Sequence, residues 1–319
     1  MTYEAALQSD IFLTYIKIIG GLLLVAGVLI GILKALGKNV SGVWNTYRGW
    51  LIMVPIVIGT IFLGRAAFIA GVALLAIFGF KEFARATGLY EDWWQTGLVY
   101  LGIVMLAVAS YVPDPRLDFD GWFGFFITLP AYVIGAILLV PIFRNQSHGQ
   151  LQRVALAIVG FMYFGWMFSH LGFLANANHA YGYILYLVFA VEINDVAAFT
   201  CGKIFGKHKL RENISPNKTI EGSIGAIVVS LALPWMLWFS FPHFEWWDLV
   251  ITGLVVGVGG QLGDLFISYI KRDIGIKDMG VVIKGHGGIL DRVDSMIFVA
   301  PIFFHAVRWI HGIREVPLS

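Results

Sequence analysis

The 319-residue sequence predicts an all-α integral membrane protein: a polytopic bundle of about ten transmembrane helices with both termini outside. Three observations carry this. Hydrophobic residues make up 58% of the chain and charged residues 13%, against about 45–50% and about 25% in soluble domains, and the mean hydropathy is +0.79. Apolar runs recur at the length, about 20 residues, that crosses about 30 Å of hydrocarbon as a helix. Their continuity excludes a transmembrane β-barrel, whose strands alternate. Lysine and arginine fall almost wholly into alternate loops, the bias that sets orientation in a membrane. The net charge of +2 says little beside that distribution.

The first span is expected at residues 11–33. The ten residues before it carry Glu4 and Asp10 and no cation, and the apolar run outlasts a signal-peptide core, so it reads as a retained helix. Residues 48–64 and 66–83 are short and divided only by Gly64-Arg65, so one of the two is expected to tilt or re-enter. Further spans are expected at 96–112, 122–143, 154–173, 180–202, 222–241, 249–271 and 294–312. Trp93, Trp94, Trp122, Trp246 and Trp247 fall at helix ends, as interfacial anchors do. Lys17 can snorkel, Glu82 and Arg85 suit a helix-end pair, and Gly253, Gly257, Gly260 and Gly263 suit close helix packing.

The basic loops hold Lys34, Lys38 and Arg48; Lys81 and Arg85; Arg144 and Arg153; Lys203 to Lys218; and Lys271 to Arg292. All fall on one side, expected to be the cytoplasm. The other side holds Arg65, Arg116, Arg308 and Arg314 among Asp114, Asp118, Asp120, Glu245 and Asp248. Cys201 is the only cysteine, which excludes an internal disulfide and a multi-cysteine metal site. With no clear repeat or soluble domain, the chain reads as one membrane domain, 1–319. Residues 1–189 are mainly scaffold and 190–300 the catalytic part.

Chemistry concentrates in two polar segments. Asp264 lies inside a predicted span, where a carboxylate costs about 2.5–3.5 kcal/mol on insertion scales and needs a partner, a wet cavity or a metal. Ser268 and Lys271, four and seven residues on, share its helix face. Asp291 and Asp294 open the last helix, where acids also suit the macrodipole. With Asp264, and with Asp278 if it does not pair Lys277, they would form an oxygen-rich pocket suited to Mg²⁺. Lys271, Arg272, Lys277, Lys284 and Arg292 surround these acids. Gly285-His286-Gly287-Gly288 is a glycine turn able to offer N–H groups to phosphate before a helix N-terminus. In the second segment, Glu192, Asn194 and Asp195 fall within an apolar span and suggest a cavity. Lys203, Lys218, Thr219 and Glu221 follow, and Ser215 or Thr219 is placed to cap the next helix. No P-loop or H-E-x-x-H motif occurs.

The run Ser268-x-Ile270-Lys271-Arg272, Lys277-Asp278-x-Gly280, Ile283, His286-Gly287-Gly288 and Asp291-Arg292-Val293-Asp294 closely resembles the phosphatidate cytidylyltransferase (CDP-diacylglycerol synthase) family. So does Asn194-Asp195, Gly202-Lys203, Phe205-Gly206-Lys207 and Ser215-Pro216-x-Lys218-Thr219-x-Glu221-Gly222. The resemblance is firm over about 190–300 and rests on hydropathy before that. The chain departs from the pattern at Lys284, at Asn217 and in its additional first span. The resemblance implies an enzyme of the cell (inner) membrane, its site facing the cytoplasm, that joins CTP to phosphatidate and releases pyrophosphate. It also implies a two-metal centre with Mg²⁺ and a monovalent cation such as K⁺, a homodimer, and no nucleic-acid partner.

Within that reading Asp264 and Asp291 are the first metal ligands, supported by Asp294, Asp278 and Ser268. Lys271, Arg272, Lys277, His286, Gly287, Gly288 and Arg292 hold phosphates. Asn194, Asp195, Lys203, Lys218 and Glu221 form the other wall. Two other functions fit the same residues less closely: transfer to another lipid phosphate, isoprenoid or ether-linked, and ion or solute transport through the intramembrane acids.

Overall fold

The computed structural model describes residues 1–116, 120–277, 279 and 288–312. The chain is a mostly helical, polytopic membrane protein. Among the described residues, nine helical segments are long and apolar enough to cross a membrane. The tenth expected span is the shorter helix Ile220–Met236 of 17 residues, about 25 Å at 1.5 Å per residue.

A short helix α1 (Tyr3–Gln8) leads into α2 (Asp10–Ala35), whose first turn is capped by the Ser9 hydroxyl accepting from Phe12 N. Next come α3 (Ser41–Leu63) and α4 (Arg65–Ala86). These are the two spans expected to include a tilted or re-entrant one; they run 23 and 22 residues, each long enough to cross. The polar start of α3 extends it, and Gly64 reverses the chain in one residue. Its φ of +101° lies in the region glycine alone enters freely, and a Cβ there would meet Met1 O at 3.0 Å.

Then come α5 (Trp93–Tyr111), capped by Asp92, and α6 (Phe123–Phe143). The sixth span is not a uniform helix. It runs as α7 (Gln150–Gly160), a π-helical turn Phe161–Met167 and α8 (Phe168–Phe173).

The second half of the chain begins with α9 (Ala180–Phe205). The one departure from helix among the described residues comes next. Lys209–Arg211 (β1) and Ser215–Thr219 (β2) form an antiparallel two-stranded ribbon. The Glu221 carboxylate fixes it by accepting from Lys207 N, His208 N and His208 Nδ1. Helices α10 (Ile220–Met236), α11 (Trp246–Asp273) and α12 (Leu290–Gly312) complete the chain.

The last four helices pack through glycine. A Cβ on Gly253 would sit 2.7 Å from Ser230 O, one on Gly257 3.1 Å from Ile227 Cα, and one on Gly263 2.8 Å from Asp294 O. Backbones therefore approach across α10–α11 and α11–α12 with no side chain between, as the small-residue spacing predicts. The buried core is continuous from Ala6 to Val307, whereas α2 and α3 carry many exposed apolar side chains.

Candidate active site

Helix ends bring the expected residues to one end of the bundle. The C-terminal half of α11 carries Asp264, Ser268, Lys271 and Arg272. Asp264 Oδ2 meets Lys218 Nζ at 2.7 Å and Oδ1 accepts from Ser268 Oγ at 3.2 Å. One helical turn separates Asp264 from Ser268, so both bonds form on one face. Lys271 Nζ lies 2.5 Å from Asp291 Oδ1, and Asp291 Oδ2 accepts from Gly288 N at 2.9 Å. Arg272 Nε donates to Ile214 O in the ribbon turn, tying α11 to the ribbon.

Between α9, the ribbon, α10 and α11 lies a cleft of about 400 Å³. Asp195, Lys203, Lys218 and Asp264 give it charge, while Ser215, Asn217, Thr219, Ser223 and Gln261 give it neutral polar groups. Phe199, 71% exposed, adds an apolar edge. Lys203 makes no ion pair among the described residues. Asp195 Oδ2 accepts from Ser295 Oγ at 3.3 Å, which joins this wall to α12. Asp294 follows on α12, buried, its Oδ1 accepting from Ser295 N. The carboxylates of Asp195, Asp264 and Asp294 lie within electrostatic reach of one another.

Several expected residues sit elsewhere. Asn194 is fully buried behind the cleft. Its Nδ2 donates to Ser230 Oγ (2.8 Å) and Gly257 O, and its Oδ1 accepts from Gln261 Nε2 (3.0 Å). It therefore orients Gln261, which does line the cleft. Glu221 is spent on the ribbon. Lys277 is exposed, and Arg292 interacts electrostatically with Glu192 of α9. Asp278, His286 and Gly287 lie outside the described residues.

The turn before α12 differs from the expected phosphate cradle in its described part. Glu82, read from sequence as a partner for Arg85, instead accepts from Ile289 N at 3.0 Å and Leu290 N at 2.9 Å. Arg85 stacks on the Tyr90 ring. Carboxylates accept from the N–H groups of residues 288, 289 and 290.

Sequence reasoning also missed Tyr163. It sits in the π turn, a helix irregularity frequent at functional sites, and donates to Asp294 O at 2.9 Å while its ring packs on Phe266. Gln261 and Ser223 were missed as well. Gln261, three residues before Asp264, shares its helix face, and that spacing was the available signal.

Two of the basic loops meet at one carboxylate. Arg144 and Arg153 both pair with Asp92, at 2.9 and 3.3 Å, beyond the same end of α4 that carries Glu82. Arg65 pairs with Asp120 and Asn176.

Among the described residues no three His, Cys, Asp or Glu side chains converge on one point. The acids present are oxygen donors only. Oxygen donors of this kind suit hard cations, and among the described residues they do not form an all-protein cage.

Fold and site together define a polytopic helical membrane protein with carboxylates and ammonium groups facing one another in a cleft at one end. Residues 45–310 match the model of the cytidylyltransferase family, and the chain belongs to that family. It is 44% identical over 153 residues to a phosphatidate cytidylyltransferase of Staphylococcus haemolyticus (strain JCSC1435), covering 48% of this chain and 55% of that protein. The phosphatidate cytidylyltransferase of Staphylococcus aureus (strain COL) matches with the same identity and coverage. The uncharacterized protein YnbB of Escherichia coli (strain K12) is 31% identical over 238 residues, covering 68% of this chain and 80% of that protein. The chain thus spans about half the length of the staphylococcal relatives it matches. Helices α1 and α2 precede the residues matched by the family model.

Proposed function

We propose that the chain transfers a cytidylyl group from CTP to phosphatidate, forming CDP-diacylglycerol and pyrophosphate. The observation that carries this reading is the cleft itself. Asp195 and Asp264 face Lys203 and Lys218 at its polar wall, and the exposed Phe199 ring forms its apolar edge. A lipid phosphate needs both characters within one site: cations for its headgroup and an apolar border for its chains.

In the proposed reaction a phosphate oxygen of phosphatidate attacks the α-phosphorus of CTP in line. The new P–O bond forms as the bond from the α-phosphorus to the bridging oxygen breaks, and pyrophosphate leaves with that electron pair. The attacking oxygen is anionic at neutral pH, so no strong general base is required. Positioning and charge neutralisation supply the rate. Lys203 and Lys218 hold phosphate oxygens in the cleft, and Lys271, paired with Asp291, supplies a further cation beside it. Asp264 and Asp291, supported by Asp294, would hold Mg²⁺, alongside a monovalent cation such as K⁺; Asp278 is a further candidate ligand by sequence. When bound, such a metal would supply Lewis-acid neutralisation of phosphate charge. Ser268 fixes the Asp264 carboxylate through the 3.2 Å hydrogen bond.

The basic end of the bundle is assigned to the cytoplasm, where CTP is found, with both termini on the opposite side. The working unit is proposed to be a homodimer in the cell membrane. The test is incubation of the purified protein with Mg²⁺, labelled CTP and phosphatidate. A CDP-lipid and pyrophosphate in equal amounts are expected, and no product with any divalent metal sinks the reading. Because α1 and α2 lie outside the matched region, isoprenoid and ether-lipid phosphates belong in the same assay as competitors.

A further inference from the structure

Glu82 is a carboxylate in the scaffold half, one turn before the C-terminal end of α4. That is the wrong end of its own helix for a negative charge. It is 9% exposed, and both of its oxygens are engaged, Oε1 by Ile289 N and Oε2 by Leu290 N. A helix N-terminus attracts anions through its free N–H groups and its dipole, and Glu82 fills that place from a different helix.

The fit is close. A Cβ on Gly288 would lie 2.8 Å from the Glu82 carboxyl carbon and nearer still to one oxygen, so a methyl there would push the carboxylate from this position. The next residue of the helix, Asp291, returns Oδ2 to Gly288 N and presents Oδ1 to Lys271. Asp294 follows one turn later. Glu82 therefore holds two N–H groups at the start of α12, whose first turn carries Asp291 and leads into Asp294.

We propose that Glu82 is a positioning residue for the transfer reaction: through α12 it sets where Asp291 and Asp294 meet the phosphates and their metal. This rests on the cytidylyltransferase reading. Loss of the contact lets the first turn of α12 shift, and a misplacement of about 1 Å is enough to cost about a hundredfold in rate.

The experiment uses full-length purified Glu82→Gln, Glu82→Asp and Gly288→Ala, with Asp92→Asn as a scaffold control. Hydrogen exchange of the backbone over residues 288–294 reports the anchor without any turnover. Rates per folded molecule, measured against Mg²⁺ concentration, report positioning. Glu82→Gln should lose protection at Ile289 and Leu290. It should lower kcat at least tenfold and raise the Mg²⁺ concentration for half-maximal rate severalfold. A merely smaller folded fraction cannot move that midpoint.

Glu82→Asp should recover part of the loss. Gly288→Ala should reproduce it, and the double variant with Glu82→Gln should be little worse than either single variant. Asp92→Asn should leave the Mg²⁺ midpoint unchanged. Wild-type exchange or a wild-type Mg²⁺ midpoint in Glu82→Gln overturns the proposal. If the wild-type protein forms no CDP-lipid at all, the reaction assigned above fails. The exchange arm then still decides whether Glu82 anchors α12.

Discussion

Asp264 sits where two contacts meet, Lys218 on one oxygen and Ser268 on the other. Its side chain is 31% exposed and that of Lys218 is 18% exposed. At that exposure the pair adds little to stability, on the order of 0–1 kcal/mol. Its value lies in holding a carboxylate and an ammonium group together in the cleft. Asp264→Asn is nearly isosteric and keeps an acceptor for Ser268. The variant should fold and insert normally, judged by its thermal transition in detergent, yet lose CDP-lipid synthesis by about a hundredfold or more. Near-normal turnover would remove Asp264 from the chemistry.

How far single residues were legible depended on where their partners lie. The face shared by Asp264, Ser268 and Lys271 follows from helical spacing alone. Asn194 was visible as a polar group out of place in an apolar span. Its actual role, tying α9 to Ser230 of α10 and to Gly257 and Gln261 of α11, needs three helices to be placed first. Glu82 shows the limit most clearly: its partners are 207 and 208 residues away, while Arg85 stood one turn along the same helix.

At the scale of elements, hydropathy located the spans well because about 20 apolar residues is a strong signal. It failed where polar chemistry or local geometry decided. The ribbon β1–β2 is short, basic and interrupted by Pro216, so nothing in its sequence alternates like a half-buried strand. The π turn at Phe161–Met167 has no hydropathic trace. Glycine spacing in α11 was informative, and it yields a test in which two substitutions of one kind have opposite expected effects. In an open helix Gly→Ala gains about 0.5–1 kcal/mol. Gly20 in α2 has nothing within 4 Å of the position an added methyl would take, so Gly20→Ala should be neutral or mildly stabilising. At Gly263 the methyl would lie 2.8 Å from Asp294 O and 2.9 Å from Ser295 Cα. Both belong to the backbone of α12, so the helices must separate. Gly263→Ala should lower the thermal midpoint and cut turnover more than tenfold. Equal midpoints for the two variants would mean that the α11–α12 contact does not hold the site.

For the whole molecule, the question is which way the site faces. The basic clusters converge on one end: Asp92 with Arg144 and Arg153, Asp264 with Lys218, and Asp291 with Lys271. Orientation follows the lysine and arginine content of short loops, so this end should lie in the cytoplasm if Ile220–Met236 crosses as a tenth span. The orientation turns on that helix. At 17 residues it is at the lower limit for crossing, and its Trp235 and Met236 are exposed beside Trp238 at its far end, as interfacial anchors would be. A Cys201→Ser background carrying one new cysteine at a time can decide the orientation. Ser147, in the loop after α6, and Asn178, before α9, are both exposed and on opposite ends. An impermeant maleimide should label Asn178→Cys in intact cells and Ser147→Cys only in inverted vesicles. Lys209→Cys in the ribbon should label with Ser147→Cys, because the ribbon follows α9 at the site end. Lys277→Cys, beyond α11, should join them if α10 and α11 form a complete hairpin. Labelling of Lys277→Cys from the Asn178 side would mean that Ile220–Met236 and α11 do not both cross, and would separate Lys218 from Asp264 across the membrane, against the 2.7 Å contact between them.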